Sequence, residues 1–177
     1  MTLPARSYAI ALGVFALDQI VKWAMIGPLA LREVGQIVLL PIFALTWTEN
    51  TGVSLGLLSA TSDTGRWALV ALTGVIALGV AFWITREKNR WDQLALALVL
   101  GGALGNILDR ARLGYVVDFL DLHFGDFRPF MVFNVADAAI TGGVALLLVR
   151  SLLLRDKPAK SAPNSAGADT PATETLH

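Results

Sequence analysis

Four long apolar segments dominate the pattern of hydrophobic and polar positions along the chain. A helix needs about 20 mostly apolar residues to cross the hydrocarbon core of a membrane. The clearest segment, 67–84, carries no charged residue, and Trp67 and Trp83 lie at its ends, as interfacial aromatic residues commonly do. The pattern predicts transmembrane helices at roughly 8–31, 67–84, 91–110 and 130–154.

The region 33–62 has a different pattern. Phe43, Leu45 and Trp47 alternate with smaller or polar residues, and a period of two predicts a half-buried strand. Residues 49–52 carry a turn signal, and 53–57 alternate again. We expect a small sheet at the membrane surface, in which Asn50 is either a turn residue or a polar group presented to a substrate.

The predicted fold is therefore an all-α membrane bundle of four transmembrane helices with a small outward-facing β-rich segment at the membrane surface. Residues 1–155 form the predicted helical domain, which includes the β-rich segment 33–62. Residues 156–177 are rich in Pro, Ala, Ser and Thr and are predicted to form a disordered cytoplasmic tail. Asp18 and Lys22 interrupt the first apolar run and no small-residue cleavage site follows it, so we interpret it as a retained helix.

Composition supports a membrane protein. Hydrophobic residues make up 55% of the chain, charged residues make up 16%, and the mean hydropathy is +0.61. Soluble domains contain about 25% charged residues. The net charge of +0 argues for no nucleic-acid partner. The chain has no cysteine and only two histidines, so we expect no disulfide, no thiolate nucleophile, no metal site and no cofactor.

The basic residues predict the orientation of the bundle, because cytoplasmic loops carry an excess of Lys and Arg. Four spans place both termini on one side. That side would hold Arg6, Arg86, Lys88, Arg90, Arg150, Arg155, Lys157 and Lys160, whereas the opposite side would hold Arg32, Arg66, Arg112 and Arg128. The termini are therefore predicted to be cytoplasmic, with the β-rich segment and the loop 112–129 facing outward.

Asp118 and Asp137 are the candidate catalytic residues, because an ionisable group in apolar surroundings is costly and usually functional. If the two carboxyl groups meet, burial and like-charge repulsion raise one pKa, and the pair shares a proton near neutral pH. The ionised member then takes a proton from water, while the neutral member polarises a carbonyl or protonates a leaving amine. Asn134 precedes Asp137 by three residues, so its amide is expected to contact that carboxylate.

Other polar residues leave alternatives open. Asp18 and Lys22, four residues apart, either only neutralise each other within the first helix or also face the site. An ordinary interfacial helix end explains Asp109 and Arg110, but it explains Asn106 less well, because that residue lies inside the apolar run.

The loop after the third span contains Asp121, Asp126 and His123. We interpret the two aspartates as solvated and the lone histidine as weak evidence for a general base.

Other chemistries and functions also remain at this point. Ser54 and Ser59 lack a nearby base in sequence, although Lys22 could serve one in space. Asp137 could instead be the relay of a proton-coupled carrier, but no internal repeat is evident. It could also only hold the helices of a non-catalytic scaffold together.

Five motifs, in order along nearly the whole chain except the tail, resemble the lipoprotein signal peptidase family, also called signal peptidase II. They are residues 18–22 (DQIVK), 50–54 (NTGVS), 101–110 (GGALGNILDR), 116–119 (VVDF) and 133–138 (FNVADA).

The resemblance implies an aspartic endopeptidase of the bacterial inner membrane. Its substrate would be a diacylglyceryl-modified prolipoprotein, cleaved just before the lipidated cysteine near the outer face of the membrane. The family pattern implies that Asp118 and Asp137 are the catalytic pair, with Asn106, Arg110 and Asn134 supporting the site and Asp18, Lys22, Asn50 and Asp109 as further polar motif positions. Membrane lipids and the inhibitory cyclic peptide globomycin are further expected partners, and a monomer is the simplest oligomeric state.

Overall fold

The structure, a computed structural model, describes residues 3–52, 63–125 and 127–154. Within them the chain forms five helices and three strands, which are α1 (Leu3–Ile26), α2 (Leu31–Val34), β1 (Gln36–Leu40), β2 (Phe43–Asn50), α3 (Asp63–Arg86), α4 (Arg90–Leu113), β3 (Val116–Leu122) and α5 (Val135–Leu154). The helices α1, α3, α4 and α5 are each long and apolar enough to cross a membrane. The predicted four-helix membrane bundle with a small sheet is confirmed.

Helix α4 is the centre of the bundle, since it packs against α1, α3 and α5. Glycines on α4 allow the close approach. A Cβ atom on Gly101 would lie 2.5 Å from the carbonyl oxygen of Ala11 in α1, and one on Gly102 would collide with the carbonyl oxygen of Ala136 in α5. Small residues at such crossings let helix backbones pack closely in a membrane. The polar residues of α4 consequently lie close to α1 and to the start of α5.

The sheet has the antiparallel order β1-β2-β3, with β2 in the centre. The region 33–62 therefore supplies β1 and β2, whereas β3 comes from the segment between α4 and α5. The predicted alternation at 53–57 lies outside the described residues. Sequence analysis missed β3, because four consecutive buried residues at its start, Val116 to Phe119, show no period of two.

Two helix boundaries differ from the prediction. Helix α1 ends at Ile26, ahead of Gly27 and Pro28, rather than near residue 31. Helix α5 begins at Val135 rather than near residue 130. Asp137 therefore lies in the first turn of α5, nearer the helix start than the predicted boundary at residue 130 implies.

Candidate active site

Asp137 and Asn134 form a reciprocal cap at the start of α5. The backbone N–H of Asp137 donates to Asn134 Oδ1 at 2.8 Å, and the backbone N–H of Asn134 donates to Asp137 Oδ2 at 3.3 Å. This is the capping-box arrangement, in which the residue before the helix and the third residue of the helix satisfy each other's free N–H groups. The cap determines where α5 begins and fixes the Asp137 carboxylate at the helix N-terminus.

Asp118 is placed by the sheet. It lies on β3 opposite Thr48 of β2, and only 1% of its surface is exposed. Two asparagine amides donate to its carboxyl group, Asn134 Nδ2 to Oδ1 at 2.6 Å and Asn50 Nδ2 to Oδ2 at 2.9 Å. Asn134 thus contacts both candidate carboxyl groups, with its side-chain amide against Asp118 and its backbone N–H against Asp137. The sequence analysis expects the side-chain amide of Asn134 to contact Asp137, and this is wrong. The side-chain nitrogen donates to Asp118, and it is the backbone N–H that donates to Asp137.

Asn50 is a turn residue, the first of its two predicted interpretations, and it also contacts Asp118. Its Oδ1 accepts a hydrogen bond from the backbone N–H of Gly52 at 2.9 Å, which closes a tight turn after β2. Gly52 has φ of 75°, a backbone conformation that glycine adopts without strain. Because the oxygen is used by the turn, the amide nitrogen of Asn50 is left facing Asp118.

Asn106 of α4 completes the connection between the carboxyl groups. Its Nδ2 donates to Asp137 Oδ1 at 2.8 Å, while its Oδ1 accepts from Lys22 Nζ and from Asn134 Nδ2, both at 3.2 Å. An ammonium group can only donate, so Lys22 requires the oxygen of Asn106 to face it. That orientation turns the N–H2 group of Asn106 towards Asp137.

A buried cluster of charges lies directly behind Asn106. Lys22 Nζ is 2.9 Å from Asp18 Oδ2 and 2.7 Å from Asp109 Oδ2, and all three side chains are almost fully buried. Asp18 accepts from the backbone N–H of Ala136 at 2.9 Å, and Asp109 accepts from that of Val117 at 3.2 Å. The Asp18–Lys22 pair therefore neutralises its own charges and also faces the site.

The same cluster holds the backbone on both sides of the carboxyl pair, because Ala136 precedes Asp137 and Val117 precedes Asp118. Gln19 also belongs to it, since its Nε2 donates to Asp109 at 3.0 Å and to Asp18 at 3.2 Å. Sequence analysis did not single out Gln19, although it lies within the motif 18–22.

The surroundings of Asp118 favour a retained proton. Burial raises the pKa of Asp118 from its ordinary value of 3.8 to about 6, and the nearby charge of Asp137 raises it too. The hydrogen bonds from Asn50 and Asn134 and the charge of Lys22 oppose this effect without overcoming it. The direction agrees with the expectation that one member of the pair has a raised pKa.

Each carboxyl group borders an open cavity. Asp118 lines a space of about 220 Å³ together with Asn50, Gly52 and Met131. Asp137 lines a second space of about 260 Å³, whose other walls include Phe133 and again Met131. Met131 thus borders both cavities, which lie on either side of one exposed apolar side chain.

Arg110 lies beside this site. A Cβ on Gly52 would be 3.6 Å from one of its terminal nitrogens, and its charge acts on those of Asp118 and Asp137. Its Nε is buried without a hydrogen-bond partner among the described residues. The group therefore provides positive charge near the two carboxyl groups.

The interpretation of Asp121 as solvated is wrong. Only 1% of its surface is exposed, and it accepts from Thr46 Oγ1 at 3.0 Å and from Arg128 Nε at 3.2 Å. Burial acts to raise its pKa, but these donors and the Arg128 charge outweigh burial and leave the pKa of Asp121 below its ordinary value. Asp121 lies opposite Ala44 in the sheet, and this pairing directs its side chain inward. The local sequence carries no sign of a pairing with a distant strand.

The other candidates do not join the carboxyl pair. His123 lies beside Asp121, with 3.8 Å between Nδ1 and Oδ1. Asp126, Ser54 and Ser59 lie outside the described residues. Within 3–52, 63–125 and 127–154, no group of three potential ligand side chains could hold a metal ion.

Comparison with known proteins shows the family of this chain. The sequence model of the family described as Signal peptidase (SPase) II matches residues 10–153. The chain belongs to the signal peptidase II family. It is a multi-pass membrane protein and an endopeptidase of the aspartic type that removes signal peptides from prolipoproteins.

Individual relatives support the assignment. Proteins named lipoprotein signal peptidase from Sphingopyxis alaskensis and Rhizorhabdus wittichii are 62% and 60% identical to this chain. The alignments cover 81% and 84% of this chain and 83% and 87% of the relatives. A solved bacterial membrane enzyme is similar with a TM-score of 0.74 and 28% identity, over 89% of this chain and 94% of that one. The likeness therefore extends over both the sequence and the arrangement of the signal peptidase II fold.

Proposed function

We propose that Asp118 and Asp137 are the catalytic pair with which this signal peptidase II hydrolyses the peptide bond. The supporting observation is the single asparagine, Asn134, that contacts both carboxyl groups while each also borders an open cavity. Structural carboxylates that only hold helices together have no need of an open face towards a substrate.

The pair works with one proton between its members. The ionised carboxylate takes a proton from water as the water oxygen attacks the scissile carbonyl carbon, and the neutral carboxyl group protonates the carbonyl oxygen. The tetrahedral intermediate then collapses and the C–N bond breaks. The proton taken from water passes to the leaving amine, and one hydroxyl group of the intermediate returns its proton to the carboxylate that had donated it, so that the acid product forms and the pair again holds one proton. The raised pKa of Asp118 favours a proton on that carboxyl group.

The substrate of this reaction is a prolipoprotein already diacylglyceryl-modified on its cysteine, with cleavage just before that cysteine. The cavity beside Asp137 is walled by Phe130, Met131 and Phe133, so an apolar chain fits next to the reacting bond. Phe130 and Met131 are largely exposed. A lipid-anchored peptide can therefore approach from the membrane.

The orientation and partners follow from the same residues. Excess basic residues near the termini support a cytoplasmic location for both, which places the carboxyl pair near the outer face of the bacterial inner membrane. Asn50, Asn106 and Asn134 orient the two carboxyl groups, while Arg110 supplies positive charge next to them. Asp18, Lys22 and Asp109 hold the backbone behind them. The enzyme acts as a monomer in contact with membrane lipids, and globomycin inhibits it by occupying the substrate cavity.

The test uses the purified full chain and a lipidated prolipoprotein, with cleavage followed as a shift on a gel. Asp118→Asn and Asp137→Asn are each expected to lose at least about a hundredfold in rate, the usual contribution of a positioned acid or base. Thermal unfolding in detergent serves as the control for folding, since Asn is similar in size and can still accept hydrogen bonds. Full activity in either folded variant would exclude the proposed pair.

A further inference from the structure

A further cavity, separate from the two beside the carboxyl pair, lies at the opposite end of the bundle. It has a volume of about 320 Å³ and runs between the first turns of α1 and α4. Its walls combine apolar side chains with two arginines, and the lining residues are Leu3, Arg6, Ser7, Ile10, Arg90, Trp91, Gln93 and Leu94. The peptidase chemistry derived above uses none of them.

Neither of the two arginines forms an ion pair with a described residue. Among the residues that the structure describes, no carboxylate lies within ion-pair distance of Arg6 or Arg90. The acidic groups nearby in sequence are engaged elsewhere. Asp92 pairs with Arg150 at 2.7 Å, and Glu87 accepts from the backbone N–H groups of Lys88 and Asn89 at 2.8 Å. Within 3–52, 63–125 and 127–154, the cavity therefore presents two positive groups that form no ion pair.

The buried polar side chains that line the cavity, Ser7 and Gln93, already have hydrogen-bond partners. Gln93 is buried, its Oε1 accepts from Ser7 Oγ at 3.1 Å, and its Nε2 donates to the backbone carbonyl of Glu87 at 2.7 Å. This contact between α1 and α4 fixes the wall behind the arginines. A ligand here would consequently be recognised by the two guanidinium groups rather than by the buried amide.

The site lies at the starts of two helices that are long enough to cross a membrane, where lipid headgroups are expected. Arg90 begins α4, and Arg6 lies about one helical turn into α1. Trp91 is half-exposed, with the Arg90 guanidinium carbon 5.4 Å from its ring centre, and tryptophan is enriched at the membrane–water interface. The exposed side chains of Leu3 and Ile10 continue from this level along α1 into the apolar region.

We propose that this cleft between α1 and α4 binds one anionic phospholipid, with its phosphate between Arg6 and Arg90 and an acyl chain along Leu3, Ile10 and Leu94. Arginine suits the phosphate because its planar fork donates two parallel hydrogen bonds to phosphate oxygens. Basic pockets between transmembrane helices bind anionic headgroups in this manner.

The same helix pair provides an internal contrast. A cleft further along α1 and α4 has a volume of about 430 Å³ and is lined by Tyr8 and by apolar residues that include Phe15, Leu104 and Leu108, without any charged side chain. That cleft offers nothing to distinguish one headgroup from another. Selectivity for anionic lipid is therefore expected only at the arginine cleft.

The experiment measures lipid binding by native mass spectrometry of the full chain in neutral detergent. Phosphatidylglycerol is compared with phosphatidylcholine, and free glycerophosphate tests whether the headgroup alone suffices. Arg6→Gln/Arg90→Gln is compared with Arg86→Gln/Lys88→Gln, which removes the same charge at the same end but outside the cleft.

We expect the unmodified protein to retain one phosphatidylglycerol in preference to phosphatidylcholine and to bind no glycerophosphate. Affinity for phosphatidylglycerol should fall about fivefold for each arginine removed, and the control variant should bind as the unmodified protein does. An equal loss in the control, an undiminished preference in Arg6→Gln/Arg90→Gln, or equally tight binding of glycerophosphate would overturn the proposal.

Should the double variant fail to fold, the unmodified protein still decides the question. Arginine–phosphate contacts at the surface weaken with salt, so the preference for phosphatidylglycerol over phosphatidylcholine should decline as salt is raised. A preference independent of salt, or none at all, would equally contradict the assignment.

Discussion

The side-chain amide of Asn134 lies 2.6 Å from a carboxyl oxygen of Asp118. The same residue caps α5 and receives the backbone N–H of Asp137 at 2.8 Å. A residue whose local role is to begin a helix therefore also joins the two carboxyl groups. The start of α5 and the geometry of the site are determined together.

Substitution of Asn134 should separate these two roles. Serine is a good helix N-cap but lacks the amide that reaches Asp118. Asn134→Ser should therefore keep the cap but lose about 1–3 kcal/mol of stability, the usual cost of leaving a buried hydrogen-bond acceptor without its donor. Its cleavage rate should fall by about a hundredfold, the usual effect of misplacing a reacting group by about 1 Å. Asn134→Ala removes the cap as well and should cost a further 0.5–2 kcal/mol, roughly, of stability. Thermal unfolding and the gel-shift assay measure both; unchanged cleavage by the serine variant would contradict the role of the amide.

The raised pKa of Asp118 predicts a pH dependence of stability. In the unfolded chain this group loses its proton near pH 3.8, whereas the folded protein holds it until about pH 6. Between these values the folded state binds more protons, so the contribution of Asp118 to stability falls as pH rises and is constant above about pH 7. The rise in pKa from 3.8 to about 6 means that folding stability falls by about 3 kcal/mol as the pH is raised through this range.

The matched variant for this effect is Asp118→Asn, which cannot ionise. Relative to the original protein, it should gain stability steadily as pH is raised from 4 to 6. Melting temperatures of both proteins in the same detergent at pH 4, 5, 6 and 7 provide the comparison. A constant difference across this range would mean that burial does not raise the pKa of Asp118.

The buried charges behind the site should respond strongly to the loss of Lys22. Lys22→Met leaves Asp18 and Asp109 buried without their shared cation, and breaking a buried pair in this way costs about 3–5 kcal/mol. Adding Asp109→Asn removes one of the stranded charges and should recover part of the loss. A double-mutant cycle by thermal unfolding measures this coupling. Additive effects of the two substitutions would show that the charges do not interact.

Two glycines test the packing that brings α4 and α5 together. A Cβ on Gly102 would collide with the backbone of Ala136, next to Asp137, whereas one on Gly142 would have nothing within 4 Å. Gly102→Ala should therefore reduce both melting temperature and cleavage. Gly142→Ala should be neutral or stabilising, since alanine favours a helix by about 1 kcal/mol over glycine. Equal behaviour of the two variants would refute the close crossing.

Much of the site could be inferred from the residue types. Asn106 stands out as a polar group inside an apolar run, whereas Asn50 and Asp109 are indicated only by the family motifs. The structure places these three residues and Asn134 in one hydrogen-bonded network with Asp118 and Asp137. The contacts of Gln19 could not be predicted, because a single amide next to Asp18 has no distinctive spacing. The burial of Asp121 could not be predicted either, because its partners, Thr46 and Arg128, come from another strand and from the following loop.

The sequence by itself determined the four membrane-spanning helices and the identity of the polar residues among them. Long apolar segments have few alternatives in a membrane, and charged groups there stand out because their burial is costly. Tertiary structure alone decided that β3 joins β2, that α5 starts at Val135 directly after the Asn134 cap, and which way each amide points. Those outcomes depend on partners far apart in the chain, such as Lys22 with Asn106 and Asn50 with Asp118, and local periodicity carries no information about such pairs.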